Sequence, residues 1–161
     1  MSGHSPSAPT VAAGRTLRRT LARYPTGVAV VTAVHHDRPV ALTINSFTSV
    51  SLEPPLVLWC LRQSSSRLPA LSGAHHFAIN VLARDQVDLA HWCAKADTVW
   101  PIPATRTGPY GLPVLTGTVA CLVCRRERVT VAGDHLVVFG EVLGHHAAQG
   151  LPLTFLDGHY Q

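Results

Sequence analysis

The sequence predicts a mostly β fold, an antiparallel barrel, closed or nearly so, with a few short helices outside it. Two observations carry that expectation. Six stretches are apolar and rich in β-branched residues, each bounded by proline, glycine or polar turns, whereas helical periodicity appears only in short segments. The composition, 47% hydrophobic against 14% charged, is that of a chain that buries most of itself. Its 161 residues make one compact domain.

The elements follow in order. Residues 1–14 (MSGHSPSAPTVAAG) lack the basic start and long apolar centre of a secretory signal and read as a loose tail, leaving 15–161 as the folded domain. A short amphipathic helix comes next: Leu17, Leu21 and Tyr24 recur at i, i+4 and i+7, arginines fill the other face, and Pro25 ends it. Residues 27–34 (GVAVVTAV) and 39–47 form a hairpin about His35, His36, Asp37 and Arg38. Glu53-Pro54-Pro55 then breaks the chain before a third strand at 56–61, whose uninterrupted apolar run implies burial on both faces. Ser64-Ser65-Ser66 precedes a short helix at 67–71 with a serine as its N-cap.

A fourth strand spans about 76–82. A second helix covers 86–93, with Val87, Ala90 and Cys93 inward and Arg84-Asp85 ahead of it. Residues 97–113 hold Pro101, Pro103, Gly108, Pro109, Gly111 and Pro113, so they form neither helix nor interior strand but a long structured loop. Strands at 116–131 and 135–145, joined through Gly133-Asp134, complete the set.

Several function classes drop out. The longest apolar run has six residues, against about eighteen for a membrane helix, so a cytoplasmic protein without membrane contact is expected. The formal charge is +4. Arginines cluster at 15, 18, 19 and 23 and again at 125, 126 and 128, without the interleaved aromatics or helix-turn-helix of a nucleic-acid binder; an anionic small ligand fits as well. There is no G-x-G-x-x-G, no P-loop and no G-x-S-x-G. Cys121 and Cys124 have metal-like spacing, but on a strand residues three apart face opposite ways, so no metal site is assigned and the four cysteines read as reduced thiols. The adjacent histidine pairs diverge for the same reason.

The stretch 43–51 (TINSFTSVS) is different. It sets five hydroxyl side chains and an amide on a strand entering a loop, a wall suited to a flat heteroaromatic ligand rich in carbonyl and imide groups, or else simply a threonine- and serine-rich edge strand. Ser64-Ser65-Ser66-Arg67 adds hydroxyls, helix-start amides and a guanidinium, the parts of a phosphate cradle, although a serine cap before a helix is also common for local reasons. In Gly133-Asp134-His135 the glycine and aspartate suit a turn, whereas turn geometry does not ask for the histidine.

Seven motifs in order resemble the short-chain flavin reductases, the reductase components of two-component flavin monooxygenases. They are Arg23-Tyr24-Pro25-Thr26-Gly27-Val28; Thr43-x-x-Ser46-Phe47-x-Ser49-Val50-Ser51; Pro54-Pro55-Leu56; Ser64-x-Ser66-Arg67; Phe77-Ala78-Ile79-Asn80-Val81-Leu82; Gly111-Leu112-Pro113-Val114-Leu115; and Gly133-Asp134-His135. The resemblance implies a six-stranded antiparallel split barrel with short peripheral helices, a homodimer holding FMN or FAD at its interface, and hydride transfer from NADH or NADPH to that flavin. The reduced flavin would reach a separate oxygenase component by diffusion. Carried over by position, Thr43, Asn45, Ser46 and Phe47 line the isoalloxazine ring and Ser51 the ribityl chain. By the same resemblance Ser64, Ser66 and Arg67 would hold the phosphate, Asn80 would face the flavin, and Thr26 and Val50 would complete the cofactor-binding set. His135 lies on the nicotinamide side as the catalytic candidate. The chain has Asn45 where the family has a smaller residue, and Thr98 where it has a base, which leaves Lys95 or Arg106 to supply that charge. The alternative reading is a flavin-binding split-barrel protein without reductase turnover, its pocket a binding module or open to another ligand.

Overall fold

The computed structural model describes residues 11–95 and 104–161. Helix α1 (Val11–Leu21) leads into a two-residue strand, β1 (Thr26–Gly27), and then into the hairpin of β2 (Ala29–His35) and β3 (Arg38–Ile44). His36 and Asp37 both take left-handed backbone angles, φ 48° and 59°, which is the two-residue turn whose twist matches that of the flanking strands. Two more strands, β4 (Thr48–Leu52) and β5 (Pro55–Arg62), form a second hairpin. After α2 (Leu68–Gly73), β6 (His76–Val81) and α3 (Val87–Ala94), a small ribbon pairs β7 (Thr105–Thr107) with β8 (Pro113–Leu115). The long strands β9 (Ala120–Ala132) and β10 (His135–Ala147) follow, and β11 (Thr154–Leu156) and β12 (His159–Tyr160) close the chain.

The architecture is mostly β, as expected, with an all-antiparallel main sheet ordered β3-β2-β6-β9-β10-β5-β4. It has seven strands where six were expected. The additional one is β4, which the sequence showed only as a strand running into a loop and which lies at the sheet edge with Leu52 93% exposed. A second sheet, β1-β11-β12, has no counterpart in the sequence reading, because strands of two or three residues carry no legible alternation.

Other expectations need correction. Strand β5 is not buried on both faces: Val57, Trp59 and Leu61 enter the core while Leu56, Leu58 and Cys60 are half-buried, so one side of this strand stays open to a cavity. Helix α1 begins at Val11, so residues 11–14, expected in the loose tail, are helical; residues 1–10 lie outside the described residues. Its apolar stripe does not pack inward, since Leu17 and Leu21 are exposed. Helix α2 has Arg67 rather than a serine at its N-cap position, and Ser65 Oγ accepts a hydrogen bond from the Arg67 amide at 3.2 Å. Of the loop expected at 97–113, residues 97–103 lie outside the described residues, and the rest is the β7–β8 ribbon with one 3-10 turn at Pro109–Gly111.

Among the described residues, packing divides the interior into three clusters. The largest gathers Trp59, Leu61, Leu71, Phe77, Ile79 and neighbours beneath α2, with the Trp59 and Phe77 rings edge to face at 5.8 Å. Here Gly140 is required: a Cβ on it would lie 2.5 Å from Phe77. The second cluster packs α3, through Ala90 and Cys93, on Val28, Val30, Leu82 and Leu153. The third, Leu112, Val114, Cys121 and Val123, lies under the ribbon, so Cys121 and Cys124 do fall into different clusters.

One buried polar group ties these parts together. Asn80 is fully buried; its amide donates to the Val30 carbonyl at 3.0 Å and to Thr32 Oγ1 at 3.1 Å, and its oxygen accepts from the Leu115 amide at 3.0 Å. Thr32 passes the chain on by donating to the Pro113 carbonyl at 2.5 Å. A satisfied network of this kind fixes β2, β6 and β8 in one register, and removing its centre leaves several buried groups unpaired. Asn80→Ala is therefore expected to cost about 2–4 kcal/mol. With a urea slope of about 2 kcal/mol/M, the unfolding midpoint should fall by about 1–2 M; a midpoint unchanged within about 0.3 M would show the network to be dispensable.

Candidate functional site

The end of β3 runs past Ile44 toward β5, and a cavity of about 630 Å³ opens between them. It is lined by Thr43, Asn45 and Ser46 on one side, by Cys60 and Arg62 of β5, by Ser64, Ser65, Ser66 and Arg67 at the entry to α2, by Ala94 of α3, and by His135. Seven residues singled out in the sequence therefore converge on one space.

Their hydrogen bonds show how each is held. Thr43 Oγ1 donates to the Ala90 carbonyl at 2.7 Å, which fixes the hydroxyl against α3. Ser46 Oγ accepts from the Cys60 amide at 2.9 Å and donates to the Cys60 carbonyl at 3.4 Å. Arg67 is only 9% exposed, so a guanidinium lies largely out of water at the cavity wall. Close by, burial pushes the Cys93 thiol up to about 11, partly countered by the Arg67 charge. His135 is the first residue of β10, and its Nδ1 lies 2.7 Å from the Asp134 carboxylate. That contact, followed by the charge of the imidazole, holds the Asp134 carboxyl below its usual range.

The other expected residues stand elsewhere. Asn80 does not face the cavity; its amide is consumed by the buried network described above. Phe47 packs against the large core cluster, Val50 is exposed on β4, and Ser51 Oγ accepts from the Glu53 amide at 3.2 Å. Thr26 lies opposite Phe155 in the small sheet, and its buried Oγ1 has no hydrogen-bond partner among the described residues. Lys95 follows Ala94 at the end of α3, whereas Arg106 is on the β7–β8 ribbon beside a different cavity. Thr98 lies outside the described residues. Sequence reasoning missed Cys60, Arg62 and Ala94; β5 read as buried on both faces, which hid Cys60.

A mostly antiparallel β fold with a hydroxyl- and arginine-lined cavity is shared with flavin reductase-like proteins. Residues 21–161 match the Flavin reductase like domain, and the chain belongs to that family. FMN reductase (NADH) SmoA of Agrobacterium fabrum is 44% identical over 144 residues, covering 89% of this chain and 83% of that protein. The flavin-dependent monooxygenase reductase subunit HsaB of Mycobacterium tuberculosis is 37% identical over 150 residues, covering 91% and 80%. Among solved structures, the NADH:FAD oxidoreductase SgcE6 of Streptomyces globisporus, in complex with NAD and FAD fragments, superposes with a TM-score of 0.88 at 32% identity, covering 97% and 96%.

The cavity geometry separates the cysteines. Cys60 is half-buried on its wall, while Cys93, Cys121 and Cys124 are buried, with thiols raised chiefly by that burial. At pH 7.5 a thiol near 11 is ionised in only about three molecules per ten thousand. Brief iodoacetamide treatment of the native protein should therefore label Cys60 first, with the other three labelled only on unfolding. Peptide mapping that found Cys93 modified as fast as Cys60 would contradict the burial.

Proposed function

We propose that this chain is an NAD(P)H:flavin oxidoreductase that binds FMN or FAD, passes hydride to it from NADH or NADPH, and releases reduced flavin to a separate oxygenase component. The observation that carries this reading is the convergence of Thr43, Asn45 and Ser46 with Ser64, Ser66, Arg67 and His135 on one cavity. Its volume falls in the roughly 300–1,000 Å³ range of ligand pockets. The donor set also fits: a buried guanidinium and serine hydroxyls at one end suit a phosphate, while the strand-end amide and hydroxyls suit a ring edge of carbonyls and imide nitrogens.

The bound flavin supplies the two-electron chemistry, so the protein needs neither a nucleophile nor an acid–base pair. Arg67, Ser64 and Ser66 anchor the phosphate. Thr43, Asn45 and Ser46 orient the ring, and Ser46 does so while its hydroxyl is itself fixed by the Cys60 backbone. His135, steadied by Asp134, positions the nicotinamide at the cavity mouth.

The same reading includes a six-stranded split barrel made of β2, β3, β5, β6, β9 and β10, a single working domain that takes in all of α1, and a cytoplasmic homodimer with flavin at the interface. Exposed Leu17 and Leu21 on α1, together with Val50 and Leu52 on β4, support association, because apolar surface of this extent on one chain favours burial against a partner. None of the described helices is long and apolar enough to cross a membrane.

Arg67→Ala should weaken FMN by about ten- to a hundredfold, the equivalent of roughly 1.5–3 kcal/mol for a charge-assisted contact, and leave riboflavin within about twofold. Arg67→Lys should recover part of the loss. Fluorescence titrations in which both ligands weakened equally would remove the phosphate assignment.

His135→Ala should keep its flavin dissociation constant within about threefold yet lose at least about tenfold in kcat/KM for the nicotinamide, or roughly 1.4 kcal/mol of positioning. Stopped-flow reduction of bound flavin at subsaturating NADH and NADPH measures this directly. A wild-type rate in the variant would leave His135 as a strand-end residue with no part in the reaction.

A further inference from the structure

Beside the main cavity lies a smaller one of about 190 Å³, which shares Thr43, Ile44, Asn45 and Ala94 with it and is completed by Val28, Phe155 and Tyr160. Two features set this lobe apart. Its far wall is aromatic, and its polar side chains other than the Tyr160 phenol, those of Thr43 and Asn45, belong to the rim shared with the larger cavity. Burial raises the Tyr160 phenol, so at neutral pH it carries no charge.

The aromatic wall is built, not incidental. Phe155 and Tyr160 are directly opposed across β11 and β12, with ring centroids 5.3 Å apart, and His91 of α3 meets Tyr160 edge-on at 4.9 Å. Both rings pack against the buried cluster that includes Val28, Leu82 and Leu153. The lobe therefore has a fixed shape before any ligand enters it.

We propose that this lobe is the subsite for the dimethylbenzene end of the flavin, with Phe155 and Tyr160 as its specificity-determining residues. This rests on the flavin reading given above. Its volume, under a third of the larger cavity's, suits one six-membered ring with its substituents. The dimethylbenzene ring is the one part of the isoalloxazine with no nitrogen or oxygen, and it matches walls of Val28, Ile44, Ala94, Phe155 and Tyr160. A nicotinamide ring fits less well, because its carboxamide would enter a lobe whose amide and hydroxyl groups stand only at the shared rim. It must also lie over the flavin's central ring to deliver hydride, not beyond the end of the tricycle. The polar pyrimidine end of the flavin then remains in the larger cavity.

The test compares FMN with its analogue lacking both ring methyls, titrated by flavin fluorescence against the full-length protein. Wild type should bind FMN about tenfold more tightly, as burial of two methyl groups in an apolar lobe requires. Phe155→Ala and Tyr160→Ala should each weaken FMN while leaving the demethylated analogue nearly unchanged, so that the ratio falls to about threefold or less; Tyr160→Phe should retain it. Equal binding of the two flavins to wild type, with discrimination between FMN and riboflavin by Arg67 intact, would overturn the subsite alone. Failure of both flavins to bind at micromolar concentration would overturn the flavin reading together with it. The wild-type comparison stands even if an alanine variant fails to fold.

Discussion

The site depends on how Ser46 joins two strands that the ladder keeps apart. In the main sheet β3 is the first strand and β5 the sixth, and no ladder pairs them among the described residues. Strand β4 pairs with β5 only as far as Thr48 opposite Leu58, so beyond that point the β5 backbone needs another partner. Ser46 supplies it at Cys60, accepting from the amide and donating to the carbonyl with one hydroxyl. A side chain that does both is short and neutral, and serine is the smallest that qualifies. The strands it brings together are those that line the cavity: Thr43 to one side of the contact, Cys60 and Arg62 to the other.

Much of the fold was legible because the long strands carry strong patterns. The β2–β3 hairpin, β6, α3 and the β9–β10 pair lie within a few residues of where apolar runs and turn residues put them. What was not legible is short or depends on distant partners. Strands β1, β11 and β12 have two or three residues each and exist through backbone pairing, such as Thr26 with Phe155, that no local pattern reports. Strand β4 was hidden by its hydroxyls, which read equally as strand or loop. Among the site residues, the cluster at 43–46 and 64–67 and His135 were found from residue type and motif order. Asn80 came from the same motif order, yet a lone amide in the apolar run HFAINV has a second meaning. A polar group on a strand buried to this degree must be satisfied inside the protein, and here that satisfaction holds the sheet rather than a ligand.

Electrostatics give the cavity a direction. Its cationic end is Arg67, close enough to Cys93 to bear on its ionisation, but burial keeps Cys93 a neutral thiol, so the cysteine does not cancel the guanidinium charge at neutral pH. At the β10 entrance, Asp134 is held as a carboxylate by His135, and this exposed pair contributes orientation rather than stability. Away from Arg67 the lining passes through the amide and hydroxyls of 43–46 to the apolar residues shared with the smaller lobe. A planar ligand with an anionic tail and an apolar edge can satisfy this gradient in one orientation and not in the reverse.

Such discrimination requires walls that do not yield, and the C-terminal segment shows how a short chain end can provide one. Its strand β11 is bonded on both sides, to β1 and to β12. Val28 donates to the Leu153 carbonyl at 3.0 Å, Leu82 to Val28 at 3.0 Å, and Leu153 to Leu82 at 2.9 Å, a closed triangle of backbone bonds among the start of β2, the end of β6 and the strap before β11. Thr154 and Gln161 exchange both of their backbone bonds at 2.9 and 2.8 Å, which pins the last residue. The turn between β11 and β12 is held in its place by the Asp157 amide, which donates to the Ala22 carbonyl at 3.0 Å, and by the Arg23–Asp157 ion pair. Phe155 and Tyr160 are thus ordered when the chain folds, and a ring that enters between them and Ala94 does not have to order them again.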